Sequence, residues 1–458
     1  MKKTKILCTI GPASEKTETL ERMFKAGMNA IRINTAHGSI PSYDIIINNL
    51  RKVADLPIII DIKGPEIRIQ SSSDEMLKKG QLMTVSFNKK DERYFTRDFY
   101  KEVSVDDVIY LSDGLIRTKV VEKANKKLVL EVVVPGFLRE NKGVNLPGVH
   151  LNFDLLTERD REMIAYAKKR KVDFIALSFA RTADDVRNLR KHLEGTEIGI
   201  ISKIENRECL EHIDEIIRES DGIMVARGDL GVEMPSEKLP IIQKNIIKKC
   251  NLAAKTVIVA TEMLKSMIRE PRPTRAETSD VANAILDGAD GVMLSDETAV
   301  GAYPVESVDE MRRIAGEVES SVQGLPSSES FLDVDSSIAN AIHNICERLH
   351  VSAVVTLTRS GYTANIISRY RLKKDIIAVT ESEIVRKKLE LVYGVKPIVY
   401  KTPRYRKIPY VAKHLLSLGL IRPEELVLFT AGMYTKKQHA TNILQIHEVR
   451  ALVEYTRK

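Results

Sequence analysis

Eight short apolar, β-branched runs, each followed by an amphipathic stretch, set the strongest limit on what this chain can fold into. The runs occupy residues 4–11, 29–36, 57–64, 172–179, 197–205, 222–230, 256–263 and 290–297. Between them lie segments such as TETLERMFKAG and LTERDREMIAYAKKRK, whose apolar residues repeat at helical spacing. Strands that alternate with helices imply a parallel sheet with right-handed crossovers. Eight such units predict an α/β protein built on a closed (β/α)8 barrel rather than an open sheet.

One connection breaks the rhythm. After residues 57–69 the next barrel-type helix begins only near Leu156. Barrel connections usually span about 2–6 residues. Residues 70–142 instead read as short β segments separated by turn signals such as Ser-Asp-Gly and Lys-Lys-Gly. The expectation is an inserted β-rich lid domain, tethered by two strands and able to hinge above the barrel's C-terminal mouth. The barrel then comprises residues 1–69 and 143–330. Residues 323–337 are rich in Ser and turn formers and read as a linker. Residues 331–458 repeat a shorter strand–helix pattern, which predicts a C-terminal open-sheet α/β domain.

Composition narrows the function. Among 458 residues, 71 Lys and Arg face 63 Asp and Glu, a mild net charge of +8. That excess suits phosphate-bearing ligands better than nucleic acid. Aromatic residues are only 5% and Trp is absent, so base-stacking platforms are poorly supplied. Cys8, Cys209, Cys250 and Cys346 form neither a metal knuckle nor a disulfide framework. The apolar N-terminal run is cut by Gly11-Pro12, too early for a signal peptide. No run reaches the length of a membrane span. The expectation is a cytoplasmic protein without a nucleic-acid or membrane partner.

The active site of such a barrel lies at the C-terminal ends of its strands. There the sequence places Arg32, Asn34 and His37; Asp61 and Lys63; Ser178; Lys203 and Glu205; Arg227 and Asp229; Thr261 and Glu262; and Ser295, Asp296 and Glu297. Pairs two residues apart share one face of a strand. Arg32/Asn34, Asp61/Lys63 and Lys203/Glu205 can each aim both members into the mouth. Charges that converge there must pair or bind something. Glu205 and Asp229 are hard oxygen donors suited to Mg²⁺ or Mn²⁺, and no Cys or His clusters to suggest zinc. Lys203 can neutralise a transferring phosphoryl group or an enolate oxygen. Arg32 offers a planar fork for phosphate. The turn Ala226-Arg227-Gly228-Asp229 can present N–H groups to a carboxylate, and Thr261 can orient a proton or a water. Together these describe phosphoryl transfer involving a small phosphorylated carboxylate.

Longer segments carry a family resemblance. They include TKILCTIGPAS (4–14), DIKGPEIR (61–68), SKIEN (202–206), MVARGDLGVE (224–233), ATEMLKSMI (260–268) and EPRPTRAETSDVANA (270–284). The chain resembles the pyruvate kinases over nearly its whole length. The resemblance implies transfer of the phosphoryl group of phosphoenolpyruvate to ADP, giving pyruvate and ATP in glycolysis, by a homotetramer. It implies that Lys203 stabilises the transferring group and that Arg32 contacts it. Glu205 and Asp229 would hold the divalent metal, and Thr261 would assist protonation of the enolpyruvate. Ala226, Arg227, Gly228, Asp229, Thr261 and Ser178 would surround the substrate. Pro12, His37, Arg68 and Lys142 would line the nucleotide side, and Asn34, Asp61 and Ile62 the monovalent-cation site.

Two departures bear on K⁺. Ala36 stands where the family's pattern usually has Ser, which removes a hydroxyl ligand. Ile62 stands where Thr is frequent, leaving only a backbone carbonyl, while Glu66 is kept. The expectation is weak or absent K⁺ dependence. In the C-terminal domain, Thr358, Arg359, Ser360, Gly361 and Thr363 form a loop at a helix start that reads as a cradle for a phosphorylated allosteric effector. Tyr362 stands there where many relatives have Arg.

Basic clusters at Arg369–Lys374 and Lys401–Lys407 read as solvated faces or interface charges. Met263 and Met267 read as core, and Asp113 as a lid residue able to reach the site on closure. Two other readings stand beside the kinase: a metal-dependent lyase or aldolase acting on a pyruvate enolate, and a metabolite-sensing scaffold. The lid, Arg68 and Lys142 weigh against the first. The intact Lys203, Glu205, Asp229 and Thr261 set weighs against the second.

Overall fold

The structure, a computed structural model, describes residues 2–112, 114–326, 333–403, 407–432 and 441–455. Asp113, part of the 323–337 linker and residues 404–406 of the second basic cluster lie outside the described residues.

Eight parallel strands close into a barrel: β1 (Lys5–Thr9), β2 (Ala30–Asn34), β3 (Ile58–Ile62), β4 (Phe174–Leu177), β5 (Gly199–Ile204), β6 (Gly222–Ala226), β7 (Thr256–Ala260) and β8 (Gly291–Leu294). Each pairs with its neighbours in sequence, and β8 closes on β1 through Gly291 beside Lys5. The strands are shorter than their apolar runs. Residues 227–230 leave the sheet and open the helix Arg227–Glu233 instead.

Strand period sorts the side chains. Leu7, Ala30, Ile59, Ala176, Ile201, Met224, Ile258 and Met293 point inward and form one interior cluster. Their neighbours Ile6, Cys8, Ile31, Ile33, Ile58, Ile60 and Ile62 point outward and pack beneath the helices. Fully burying each such aliphatic side chain contributes about 1.5–3 kcal/mol. Two residues further along the inward row come Thr9, Arg32, Asp61 and Lys203. The alternation that fills the core therefore also delivers the polar groups to the mouth.

The insertion between β3 and the helix Glu158–Arg170 is a closed β-barrel of its own. Its strands run from Ile67–Ser71 to Lys142–Asn145, and these two tethers pair antiparallel. Its core includes Phe95 and Phe99, with Phe87 edge-on to Phe99. The way in is pinned at Gly64. It has φ +71°, and a Cβ there would press on the Phe179 ring at 3.0 Å. Gly64 N–H donates to Asp160 (3.2 Å), which also closes a capping box with Thr157 on the helix that resumes the barrel.

The C-terminal sheet comprises β9 (Ala353–Leu357), β10 (Asp375–Thr380), β11 (Val395–Val399), β12 (Leu426–Ala431) and β13 (Ile443–Glu448), ordered β11-β10-β9-β12-β13. Only β13 runs antiparallel. This domain closes the barrel floor. Leu391 enters the interior cluster, and the Lys5 ammonium donates to Val395 O at 2.8 Å. Asp290, just before β8, accepts from Arg371 (2.8 Å), Tyr393 N–H (3.0 Å) and Val257 N–H (2.9 Å). Arg371 also donates to Asn251 at 2.7 Å.

Arg369 and Arg371 of the first basic cluster are both buried. For these two residues the solvated-face reading gives way to the interface one, because each guanidinium is enclosed where the two domains meet. Met263 and Met267 are fully buried, as core residues should be.

Removing one partner of a buried ion pair typically costs about 3–5 kcal/mol. Arg371→Met should therefore lower the free energy of unfolding by an amount in that range and loosen the C-terminal domain first. Denaturation followed by circular dichroism, with limited proteolysis of the linker, checks it.

Candidate active site

At the C-terminal mouth of the barrel a continuous polar chain crosses the ends of five strands, β1 to β5. Arg32 donates to Thr9 Oγ1 (3.1 Å) and to Asp61 Oδ2 through Nε (2.7 Å) and Nη2 (2.7 Å). Ser178 Oγ donates to Asp61 Oδ1 (3.2 Å) and accepts from the Lys203 ammonium (2.8 Å). Lys203 lies 3.5 Å from Asp61 Oδ1 and 2.6 Å from Glu205 Oε1. Glu205 Oε2 accepts from Phe179 N–H at 2.7 Å. The Asp61 and Glu205 side chains are 2% and 1% exposed, so these ion pairs are barely screened by solvent.

Burial opposes every charge here, and the partners decide the outcome. Burial works to push the Lys203 ammonium down, but Asp61 and Glu205 outweigh it and hold it protonated. Burial likewise works against the Asp61 carboxylate, and Arg32 and Lys203 bring it below its ordinary range. Glu205 goes the other way. Burial pushes it up, Asp229 adds repulsion, and Lys203 only partly compensates.

A second group assembles on the far side of the mouth. Thr261 and Glu262 both adopt left-handed backbone, with φ of 69° and 54°. Such non-glycine residues cost of order 1–3 kcal/mol each and need surrounding support. Gly228 N–H donates to Thr261 Oγ1 at 2.8 Å, and Arg227 donates to Thr261 O at 2.8 Å. The Arg227 guanidinium is further engaged by Asp280 at 2.6 Å and Met263 Sδ at 2.9 Å. Its side chain is thus committed to shaping the Thr261 turn, which leaves its backbone for the substrate turn proposed around Ala226 and Gly228.

The remaining expected residues form outlying groups. Asn34 Oδ1 accepts from Ala36 N–H (3.1 Å), and the His37 carbonyl accepts from Tyr43 (2.6 Å). Arg68 and Lys63 share Glu66, at 2.9 and 3.0 Å. Lys142 pairs with Ile69 in the lid tether, and Pro12 is exposed on the loop after β1. The Ile62 side chain is buried under the helices and faces away from the mouth. Among the described residues, no three or more His, Cys, Asp or Glu side chains gather as a ready-made metal cage.

Sequence reasoning overlooked two contributors, Thr9 and Phe179. Thr9 ends β1 two residues beyond inward Leu7, so the strand alternation could have found it. Phe179 serves Glu205 through its N–H and a left-handed φ of 55°, which no side-chain pattern reveals. Glu297 accepts from Leu264 N–H (3.0 Å) and Ser295 N–H (2.7 Å), tying together the loops after β7 and β8.

A polar chain of Lys, Arg and carboxylates at a barrel mouth, beside an inserted β domain, marks the chain as an enzyme of the (β/α)8 barrel class. Comparison with known proteins makes the assignment specific. Residues 1–308 match the family described as pyruvate kinase, barrel domain, and residues 336–447 match pyruvate kinase, alpha/beta domain. A pyruvate kinase of Staphylococcus haemolyticus is 43% identical over 98% of this chain and 81% of its own length. Those of Staphylococcus aureus strains are also 43% identical over the same shares. The solved structure of a pyruvate kinase from Cryptosporidium parvum aligns with a TM-score of 0.91 at 33% identity, covering 98% of this chain and 96% of that one. The chain belongs to the pyruvate kinase family. It is an enzyme that transfers the phosphoryl group of phosphoenolpyruvate to ADP, giving pyruvate and ATP.

Proposed function

We propose that the transfer is carried by Lys203, Arg32 and Thr261 acting from opposite sides of the mouth. The observation that supports this most is the buried Lys203 ammonium, held charged by two carboxylates and fixed within about a hydrogen bond of both. The P–O bond to the enol oxygen breaks as a β-phosphate oxygen of ADP bonds to phosphorus. Arg32 and Lys203 face the negative charge spread over the phosphoryl oxygens, and Lys203 then faces the enolate oxygen. Thr261 accepts from Gly228 N–H, so its own hydroxyl proton is directed elsewhere. That proton, or one from a water it orients, is transferred to the methylene carbon to complete pyruvate, and the donor regains a proton from solvent. The turn at Ala226, Arg227 and Gly228 receives the carboxylate, and Ser178 keeps Lys203 in place.

The donor set at Glu205 and Asp229 fits Mg²⁺ or Mn²⁺. Both are carboxylates, and their mutual repulsion is what pushes Glu205 upward beyond its burial. A divalent ion held there supplies positive charge for the substrate oxygens. Pro12, His37, Arg68 and Lys142 are assigned to the nucleotide side, under the lid.

Asn34, Asp61 and Ile62 give poor support for a K⁺ site. Both Asp61 oxygens are engaged by Arg32, Ser178 and Lys203, Asn34 is engaged by Ala36, and Ile62 offers only its carbonyl. We therefore propose weak K⁺ dependence. The loop Thr358, Arg359, Ser360, Gly361 and Thr363 follows β9, the strand at which the order of the C-terminal sheet reverses, where open α/β sheets place ligands. Gly361 has φ +86°, and its N–H donates to Thr358 (2.9 Å). A phosphorylated effector is proposed there. A homotetramer is proposed on the resemblance alone. A cytoplasmic setting fits the four free cysteines.

Lys203→Met should reduce kcat by about a thousandfold or more while the protein stays folded and binds Mg²⁺; turnover near wild type overturns the assignment. Activity in tetramethylammonium buffer should rise less than about twofold when K⁺ is added, and a large activation would place a working cation at Asn34 and Asp61. A panel of sugar phosphates and nucleotides at subsaturating phosphoenolpyruvate should reveal an effector. An unchanged rate throughout removes that role from residues 358–363.

A further inference from the structure

A cavity of about 320 Å³ lies beside the polar chain, at the hinge between lid and barrel. It contains none of Lys203, Arg32 or Thr261, and it meets the site at Asp229, which stands on its wall. Its walls come from both lid tethers, from the loops after β4 and β5, and from the helix after β6. The volume falls within the range of small-molecule sites.

The seam is where two hydrophobic cores meet without filling the space between them. Val149, Leu151 and Phe153 alternate along the exit tether and pack on the lid core, while Leu155 belongs to the barrel core. Phe179 closes the opposite wall. Arg181 clasps the tether in place, donating to Leu151 O (2.6 Å) and Phe153 O (3.1 Å) and pairing with Asp185 at 3.0 Å.

The polar groups at the cavity are unevenly satisfied. Arg181 is fully engaged, Arg207 faces Glu211 at 3.5 Å, and Glu208 faces His150 at 3.4 Å. Glu233 meets only N–H donors, from the Arg207 backbone and the Asn145 side chain. Among the described residues no cation pairs with it. Burial pushes its carboxyl up to about 7, the behaviour of an acid lacking a counter-charge.

We propose that this hinge cavity binds a small apolar ring compound bearing one protonated amine, with the amine on Glu233 and the ring between Phe179 and the exit tether. Because both tethers form its walls, an occupant favours one lid position. By linkage it then changes turnover without competing for phosphoenolpyruvate.

Titration calorimetry at about pH 8, where the Glu233 carboxyl is ionised, would use tryptamine as probe and 3-indolepropionate as its charge-reversed counterpart. Tryptamine should bind the full chain saturably and the acid should not. Glu233→Gln should weaken tryptamine by about tenfold, the scale of one charge-assisted hydrogen bond. Val149→Trp, which fills the cavity, should abolish binding and also serves if the first variant fails to fold. Bound tryptamine should lower kcat at saturating substrates. Absence of saturable binding, equal affinity in both variants, competition with phosphoenolpyruvate, or binding with unchanged kcat would each overturn the proposal.

Discussion

The Asp61 carboxylate is the constraint around which the mouth is organised. One oxygen accepts a two-pronged contact from Arg32, and the other faces Ser178 and Lys203. Two cations that would repel each other are thereby held on either side of one buried anion. Across the whole polar chain Arg32 and Lys203 are balanced by Asp61 and Glu205. Without Asp61 the two cations would separate, because the interior offers no water to screen them. Their geometry is therefore a property of β2, β3, β4 and β5 together, and no single loop sets it.

The same strands explain why this arrangement is affordable in stability. Each inward row runs from a packed aliphatic layer to a polar residue two positions later, so the rigid part of the barrel fixes the reactive part. The strained Thr261 turn is the exception. It is sustained by Arg227, whose side chain contacts the turn's carbonyl and the Asp280 carboxylate. The lid, by contrast, is joined through Gly64 and a tether without regular structure between Asn145 and Thr157. The lid is thus joined through irregular segments, while Arg32, Asp61 and Lys203 stand on regular strands.

Much of this was legible in advance for a specific reason. Period-two alternation is visible in a sequence, and it located Arg32, Asp61 and Lys203 on the inward rows. Strand count likewise announced the barrel, and the interruption after residue 69 announced the lid. Contacts made through the backbone left no such mark. The Phe179 N–H on Glu205 depends on a left-handed turn after β4, and nothing in the string SFAR encodes it. The Arg227 side chain is a further case: its place beside Gly228 points to the substrate, whereas its length carries it to Asp280. Arg371 sits in a basic cluster that reads as a solvated face or as interface charge. Only the docking of two domains shows that it is enclosed.

The floor of the barrel gives the enzyme a direction. Leu391 stoppers the interior from below, and Arg371, Asp290 and Lys5 seal the rim around it. The vessel therefore has a single opening. Reactants, product and the proton that ends the reaction all pass the same doorway, the one beneath the lid. A domain lying wholly outside the chemistry thus braces from behind the strands that carry the polar chain.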